Sequence, residues 1–112
     1  MTAWILLEID VHDPETYRRY MARTPELVAR FGGRFLVRGQ AELLEGEPPP
    51  RRVVLVEFPD AQSARALWES PEYRELAAIR QASARARVLL LHGVDEPVSE
   101  PPPPGCGSAP RP

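Results

Sequence analysis

At 112 residues, with 43% hydrophobic and 27% charged side chains, the chain has the size and composition of one globular domain. A net charge of −2 excludes the basic field that bulk nucleic-acid or acidic-membrane binding needs, and the absence of Lys among fourteen basic residues excludes Schiff-base chemistry. The single Cys106 excludes an internal disulfide or a Cys-rich metal cluster, and no stretch approaches the ~18 apolar residues of a membrane span, so a soluble, cytoplasmic protein is expected.

The first strand is expected over residues 3–11. One of its faces reads Ile5, Leu7, Ile9, Val11 and the other Trp4, Leu6, Glu8, Asp10. Asp13-Pro14-Glu15 opens a helix: Asp13 caps, Pro14 suits the first helical position, and Glu15 meets the positive end of the dipole. Tyr17, Tyr20, Met21, Leu27, Val28 and Phe31 form its apolar stripe, with a kink or restart expected at Thr24-Pro25-Glu26 and a stop at Gly32-Gly33. The second strand starts at Arg34 and is expected to reach Leu44; on strict alternation Arg38 shares a face with Arg34 and Leu36. Glu45 to Pro50 is a turn, because consecutive prolines cannot donate to a ladder.

Residues 51–58 form the third strand, with Val54, Val56 and Phe58 on one face and Val53, Leu55 and Glu57 on the other. Pro59-Asp60 caps the next helix, which carries Ala64, Leu67 and Trp68 inward and restarts at Ser70-Pro71-Glu72-Tyr73. Leu76, Ala77, Ile79 and Arg80 continue its packed side, and Arg87–His92 form the fourth strand. From residue 95 the composition shifts: half of the fourteen prolines lie in 95–112, which reads as a disordered proline-rich tail behind a domain of residues 1–94.

The order β-α-β-β-α-β predicts an α+β, ferredoxin-like sandwich: a four-stranded antiparallel sheet, order 4-1-3-2, with two helices on one face. The other face is left bare. Its strands are apolar on both sides, so a second layer has to cover it. A homodimer through the sheet face follows. With the first and third strands read as parallel central neighbours, Glu8 and Glu57 fall at one end of that face, and Arg38 stands opposite Glu57 across the hairpin. Two neighbouring carboxylates push one pKa upward, which makes Glu57 and Glu8 candidate catalytic groups. His12, following the first strand, is a third candidate, whereas His92 pairs nearer Trp4. Arg38 and Glu57 are candidate ligand contacts, with Tyr73 bordering the site. The two histidines show no metal-ligand spacing, and glycine loops for a nucleotide are missing, so no metal and no cofactor are expected.

Asp13-Pro14-Glu15, Tyr17, Tyr20, Gly32 to Gly39, Leu44-Glu45-Gly46, Glu57-Phe58-Pro59, Ser70 to Tyr73 and Arg80 together resemble the domain-of-unknown-function family 1330 over residues 3–93. The resemblance implies a dimeric α/β barrel, in which two ferredoxin-like sheets pack face to face. That superfamily includes cofactor-free monooxygenases, haem-handling enzymes, lactone isomerases and ligand-binding regulatory domains. By similarity Arg38, Glu57 and Arg80 match charged positions of the family pattern. The chain departs from that pattern at Gln40, where a glycine is usual, and at Leu67-Trp68, where Trp-Tyr is common. The functional expectation is binding of a small organic molecule, an anion included, with a cofactor-independent monooxygenase or isomerase and a purely structural dimer as alternatives.

Overall fold

The computed structural model describes residues 1–48 and 51–94; the expected proline-rich tail lies outside the described residues. Seven elements follow in order: β1 (Ala3–Val11), α1 (Pro14–Arg30), β2 (Arg34–Gly39), β3 (Arg52–Phe58), α2 (Ala61–Glu69), α3 (Pro71–Ser83) and β4 (Ala84–His92). The caps sit where the sequence places them. Asp13 accepts from the Thr16 N–H at 3.3 Å and the Thr16 hydroxyl at 2.7 Å, and Asp60 accepts from the Ser63 N–H at 2.7 Å. Ser70 closes one helix and opens the next: its hydroxyl donates to the Leu67 carbonyl at 2.8 Å and accepts from the Tyr73 N–H at 3.1 Å. The restart signal thus splits the second helical segment in two. Helix α1, by contrast, runs through Pro25, while the Thr24 hydroxyl donates to the Tyr20 carbonyl one turn back.

The sheet order is β2-β3-β1-β4 and every pair is antiparallel. This corrects the parallel reading of β1 and β3. In a split βαβ unit the crossover makes β1 and β2 parallel, and the strand inserted between them runs against both. The helices cover one face. There Ile5, Leu7, Ile9, Val54, Val56 and Phe58 pack against Tyr17, Tyr20, Leu27, Val28, Leu67, Tyr73 and Leu76 to form the core. At the end of α1, Gly32 adopts φ +86°, and a Cβ on Gly33 would stand 2.7 Å from the Phe58 ring and 2.8 Å from Val28 Cγ1. The positive φ that stops the helix accounts for Gly32, as expected, and the close approach to Phe58 and Val28 accounts for Gly33.

Strand β2 is shorter than expected and ends at Gly39. It also carries a bulge. Arg34 and Phe35 pair with Glu57 and Val56, whereas Val37 and Arg38 pair with Leu55 and Val54, leaving Leu36 as the extra residue. One inserted residue reverses the alternation. Arg38 is thereby carried to the helix side, its guanidinium 4.8 Å over the Phe35 ring, and Arg34 takes its place beside Glu57.

The open face has a simple order. Leu89, Leu6, Leu55 and Val37 line up across all four strands as an apolar belt. On one side of it runs the row Leu91, Trp4, Glu57, Arg34, and on the other Arg87, Glu8, Val53, Gly39. Each flanking row holds an ion pair: Arg34 Nε–Glu57 Oε1 and Arg87 Nε–Glu8 Oε1, both 2.8 Å. Leu36 (44%), Val37 (42%), Leu89 (37%) and Leu91 (37%) remain exposed, so the described residues leave this face uncovered.

Candidate functional site

The expected carboxylate pair does not form. Glu8 stands opposite Val53 while Glu57 stands opposite Trp4, four positions apart along β1. At ~3.3 Å per residue that is about 13 Å. Each is held by its own arginine on the open face, Glu57 by Arg34 instead of Arg38. His12 is exposed at the β1–α1 junction, where its backbone N–H donates to the Ser83 carbonyl at 3.0 Å. His92 pairs with Ala3, beside Trp4 as expected and far from Glu8. Glu8, Glu57 and His12 therefore belong to three separate places.

The helix side gathers the other named residues. Between sheet and helices lies a cavity of about 30 Å³, walled by Ile5, Leu7, Met21, Phe35 and Phe58 and by the aromatic group Tyr17, Tyr20, Trp68 and Tyr73. The aromatic rings touch in sequence. Tyr17 and Tyr20 are 5.5 Å apart, Tyr20 and Tyr73 6.3 Å and nearly edge-on, and Tyr73 and Trp68 5.4 Å. The Tyr20 and Tyr73 hydroxyls share a buried hydrogen bond of 2.7 Å. Two positions on α1, one on α2 and one on α3 thus meet, with Asp13, Asp60 and Ser70 fixing where the three helices begin. Through the bulge Arg38 is stacked over Phe35, which lines this cavity.

Trp68 and Ile5 line both the cavity and a larger groove of about 280 Å³ between α2 and β4, whose other walls are Ala64, Arg65, Glu69, Val88, Leu89 and Leu90. The indole is half-buried, with Arg74 stacked 4.7 Å over it. A space of 30 Å³ holds little more than one water, since a water occupies about 30 Å³ of liquid. Displacing Trp68 would join it to a groove close to the lower end of ordinary ligand sites, about 300–1,000 Å³.

Two arginines approach the tyrosines. Arg80, on α3, is 3% exposed; its guanidinium carbon is 5.9 Å from both the Tyr20 and Trp68 rings, and its Nε is buried without a hydrogen-bond partner. Arg52, the first residue of β3, lies 5.9 Å over the Tyr17 ring, and its Nε is likewise unsatisfied. Neither joins an ion pair among the described residues. The Tyr17 hydroxyl is buried beside Arg52 without the geometry of a hydrogen bond. Burial raises its pKa, against the pull of Arg52 and Arg80, and burial followed by the neighbouring Tyr73 pushes Tyr20 well above the usual tyrosine value. Both phenols are therefore neutral at physiological pH, so nothing in the cluster offsets the arginine charge.

Sequence reading placed Tyr17 and Tyr20 in the core and gave Arg52 no role. A signal was present: Arg52 is in phase with Val54, Val56 and Phe58, so the alternation that buries those three also turns Arg52 towards the helices.

No helix of the described residues is long and apolar enough to cross a membrane. Several solved structures share the fold. A protein of unknown function from Rhodopseudomonas palustris superposes with a TM-score of 0.70 at 23% identity, covering 86% of this chain and 84% of that one. A dimeric ferredoxin-like protein of unknown function from Jannaschia sp. gives 0.67 at 14% identity, over 83% and 100% of the two chains. SnoaB, a cofactor-independent oxygenase from Streptomyces nogalater, gives 0.61 at 20% identity, over 88% and 98%. A search of curated proteins found no match. Residues 2–94 match the family described as a domain of unknown function, DUF1330, and the chain belongs to that family.

Proposed function

We propose that the chain binds a small, largely apolar organic molecule between its sheet and helices, as a homodimer closed through the other face of the sheet. The observation that carries this reading is the aromatic cavity behind Trp68. Protein interiors are packed to crystal density with few voids larger than a water. The cavity is itself water-sized, and it becomes a ligand site when Trp68, which lines both spaces, moves aside and opens it to the groove of about 280 Å³. The dimer rests on the belt Leu89–Leu6–Leu55–Val37, which a second copy would cover isologously. The Jannaschia protein with the same fold is described as dimeric.

The placement of the expected site residues changes accordingly. Tyr73, Arg80 and Arg38 are proposed as ligand contacts on the helix side. Glu57 and Glu8 are assigned to the dimer face, each paired with an arginine. The test is a thermal-shift screen of small acids, lactones, phenols and quinones on the full chain, read alongside Trp68 fluorescence in a Trp4→Phe background. A compound that raises Tm and shifts Trp68 emission supports the reading. Failure of every class overturns it and leaves a dimer held by its sheets alone.

A second reading, cofactor-independent oxygenase or isomerase chemistry, draws on the unpartnered Tyr17 hydroxyl beside two arginines and on the fold shared with SnoaB. Oxygen uptake with a phenol or hydroquinone that the screen has identified, lost in Tyr17→Phe, would separate catalysis from binding.

A further inference from the structure

We propose that residues 96–100, which follow β4 in the chain, fold back as a strap along the free edge of β4 and seat Val98 in the groove between β4 and α2. The strap does not depend on the ligand reading; where both hold, it lies across the groove into which Trp68 opens.

The two edges of the sheet are built differently. Strand β2 is six residues long and bulged, which are ordinary ways of blunting an edge. Strand β4 is nine residues long and pairs with β1 without a break in register. Its stretch Val88-Leu89-Leu90-Leu91 holds no charge, proline or bulge. Two backbone bonds fix which way its peptide groups face. At one end the His12 N–H donates to the Ser83 carbonyl, and at the other the Gly93 N–H donates to the Thr2 carbonyl, both at 3.0 Å. Both pairs lie on the β1–β4 register, and bonded pairs alternate with unbonded ones in an antiparallel ladder. Arg85, Arg87, Leu89 and Leu91 therefore bond to β1, whereas Ala86, Val88, Leu90 and His92 turn N–H and C=O to the free edge. No described residue bonds those of Val88 and Leu90. The side chains of the same two residues pack on the helix side, where they line the groove with Ile5, Ala64 and Trp68. An apolar groove beside a row of unpaired peptide groups is the arrangement that accepts an added strand.

The chain supplies a matching segment directly after β4: Gly93-Val94-Asp95-Glu96-Pro97-Val98-Ser99-Glu100-Pro101-Pro102. A three-residue turn, Gly93-Val94-Asp95, sets Glu96 against His92, Val98 against Leu90 and Glu100 against Val88. Such turns are common in hairpins and close on a left-handed residue, a conformation that aspartate tolerates. In this register Glu96, Val98 and Glu100 make the ladder bonds to β4. Pro97 and Pro101 fall at the alternate positions, whose N–H points away and is not needed. A slip of one residue would put both prolines where a donor is required. Pro102 is the first proline at a bonded position, and it ends the strap. Val98 shares the face of Leu90 and so enters the groove. Glu96, opposite His92, comes towards Arg65, which lines both the groove and the adjoining space beside His92. Arg65 joins no ion pair among the described residues. Glu69, the groove's other charged wall, has no counterpart in the strap.

Amide hydrogen exchange, followed residue by residue by NMR on the full chain, tests the strap. The Val88 and Leu90 N–H groups should exchange at least about tenfold more slowly in the parent than in Val98→Pro, which removes a ladder donor and the groove side chain together. Leu89 and Leu91, bonded to β1, should be protected equally in both, which also shows that the domain stays folded. Ser99→Pro, at a position whose N–H points away, should keep the protection. In a Trp4→Phe background, acrylamide should quench Trp68 more readily in Val98→Pro than in Ser99→Pro, because only the first uncovers the groove.

Equal exchange of Val88 and Leu90 in the parent and in Val98→Pro overturns the strap. Loss of their protection in Ser99→Pro as well overturns its register and the proposal with it. Protection that grows with protein concentration gives the edge to a second copy, and that also overturns a strap within one chain. None of these outcomes bears on the thermal-shift screen, so the ligand reading stands or falls separately.

Discussion

Replacing Leu6 by Glu tests the dimer directly. Leu6 is the centre of the open belt, flanked by Leu55 and Leu89, and it is half-buried in the single subunit. A fully buried leucine is stabilised by roughly 1.5–3 kcal/mol, so the share left for a partner to supply is about 1 kcal/mol. A carboxylate forced into that interface without a partner costs a further ~2–3 kcal/mol. The two-fold doubles both, giving about 6–8 kcal/mol and a dissociation constant raised on the order of 10⁴–10⁶-fold. Within one subunit the same substitution costs at most about 1 kcal/mol of strand propensity, because a single chain leaves the site partly in water. Sedimentation velocity should therefore find a monomer at micromolar concentration, with a circular dichroism spectrum like the parent's. Leu7→Glu is the control. One residue along, Leu7 is 5% exposed beneath the helices, and the same carboxylate there should unfold the chain. The reasoning fails if the parent protein sediments as a folded monomer, or if Leu6→Glu leaves the dimer intact.

Three further outcomes follow from the fold. Gly33→Ala should lower stability by about 1–3 kcal/mol, because its methyl would stand 2.7 Å from a Phe58 ring that is itself fully buried; urea unfolding would read the loss. Tyr73→Phe should cost about 1–2 kcal/mol in the same assay by leaving the Tyr20 hydroxyl buried and unpaired, and Tyr20→Phe with Tyr73→Phe together should cost less than the sum of the two singly. The cap carboxylates predict an acid limb. Thr16, first through its hydroxyl and then its N–H, holds Asp13 below the usual aspartate value, and the Ser63 N–H does the same for Asp60. A folded-state pKa below the unfolded one gives stability that is present above the unfolded value and lost as pH falls through the folded one. Tm should thus decline below about pH 4, and Asp13→Asn with Asp60→Asn, which keep a cap oxygen, should flatten that limb.

The local signals in this sequence were legible because each acts within a few residues. Asp13-Pro14, Asp60 and Ser70-Pro71 place three helix starts with the caps seen in the structure. The alternation of β1 and β3 sorts their residues correctly between the two faces. Errors entered where a residue's place depends on a distant strand. Phe35-Leu36-Val37 contains no glycine or proline to announce a bulge, and its apolar run reads equally well in either phase. Only pairing with β3 decides that Leu36 is the extra residue, and that decision moves Arg38 from one side of the sheet to the other. The supposed carboxylate pair had the same weakness, since Glu8 and Glu57 share a face in either strand orientation and only direction sets their separation.

The distribution of charge separates the two faces of the sheet. On the open side, where water is available, Glu8 and Glu57 are each satisfied by an arginine at 2.8 Å, and both arginines are largely exposed. Exposed pairs of this kind contribute about 0–1 kcal/mol, so they orient a surface more than they stabilise a fold. On the covered side Arg80 and Arg52 lack such partners among the described residues, although an unpaired charge is far more costly there. A fold optimised for stability alone would place its ion pairs the other way round, or replace Arg80 with methionine or leucine. Stability alone does not account for Arg80, whose Nε is buried without a partner. Arg80→Met puts an apolar side chain of similar length in place of that charge, so it should melt at an unchanged or higher temperature; a clear fall in Tm would refute the reasoning.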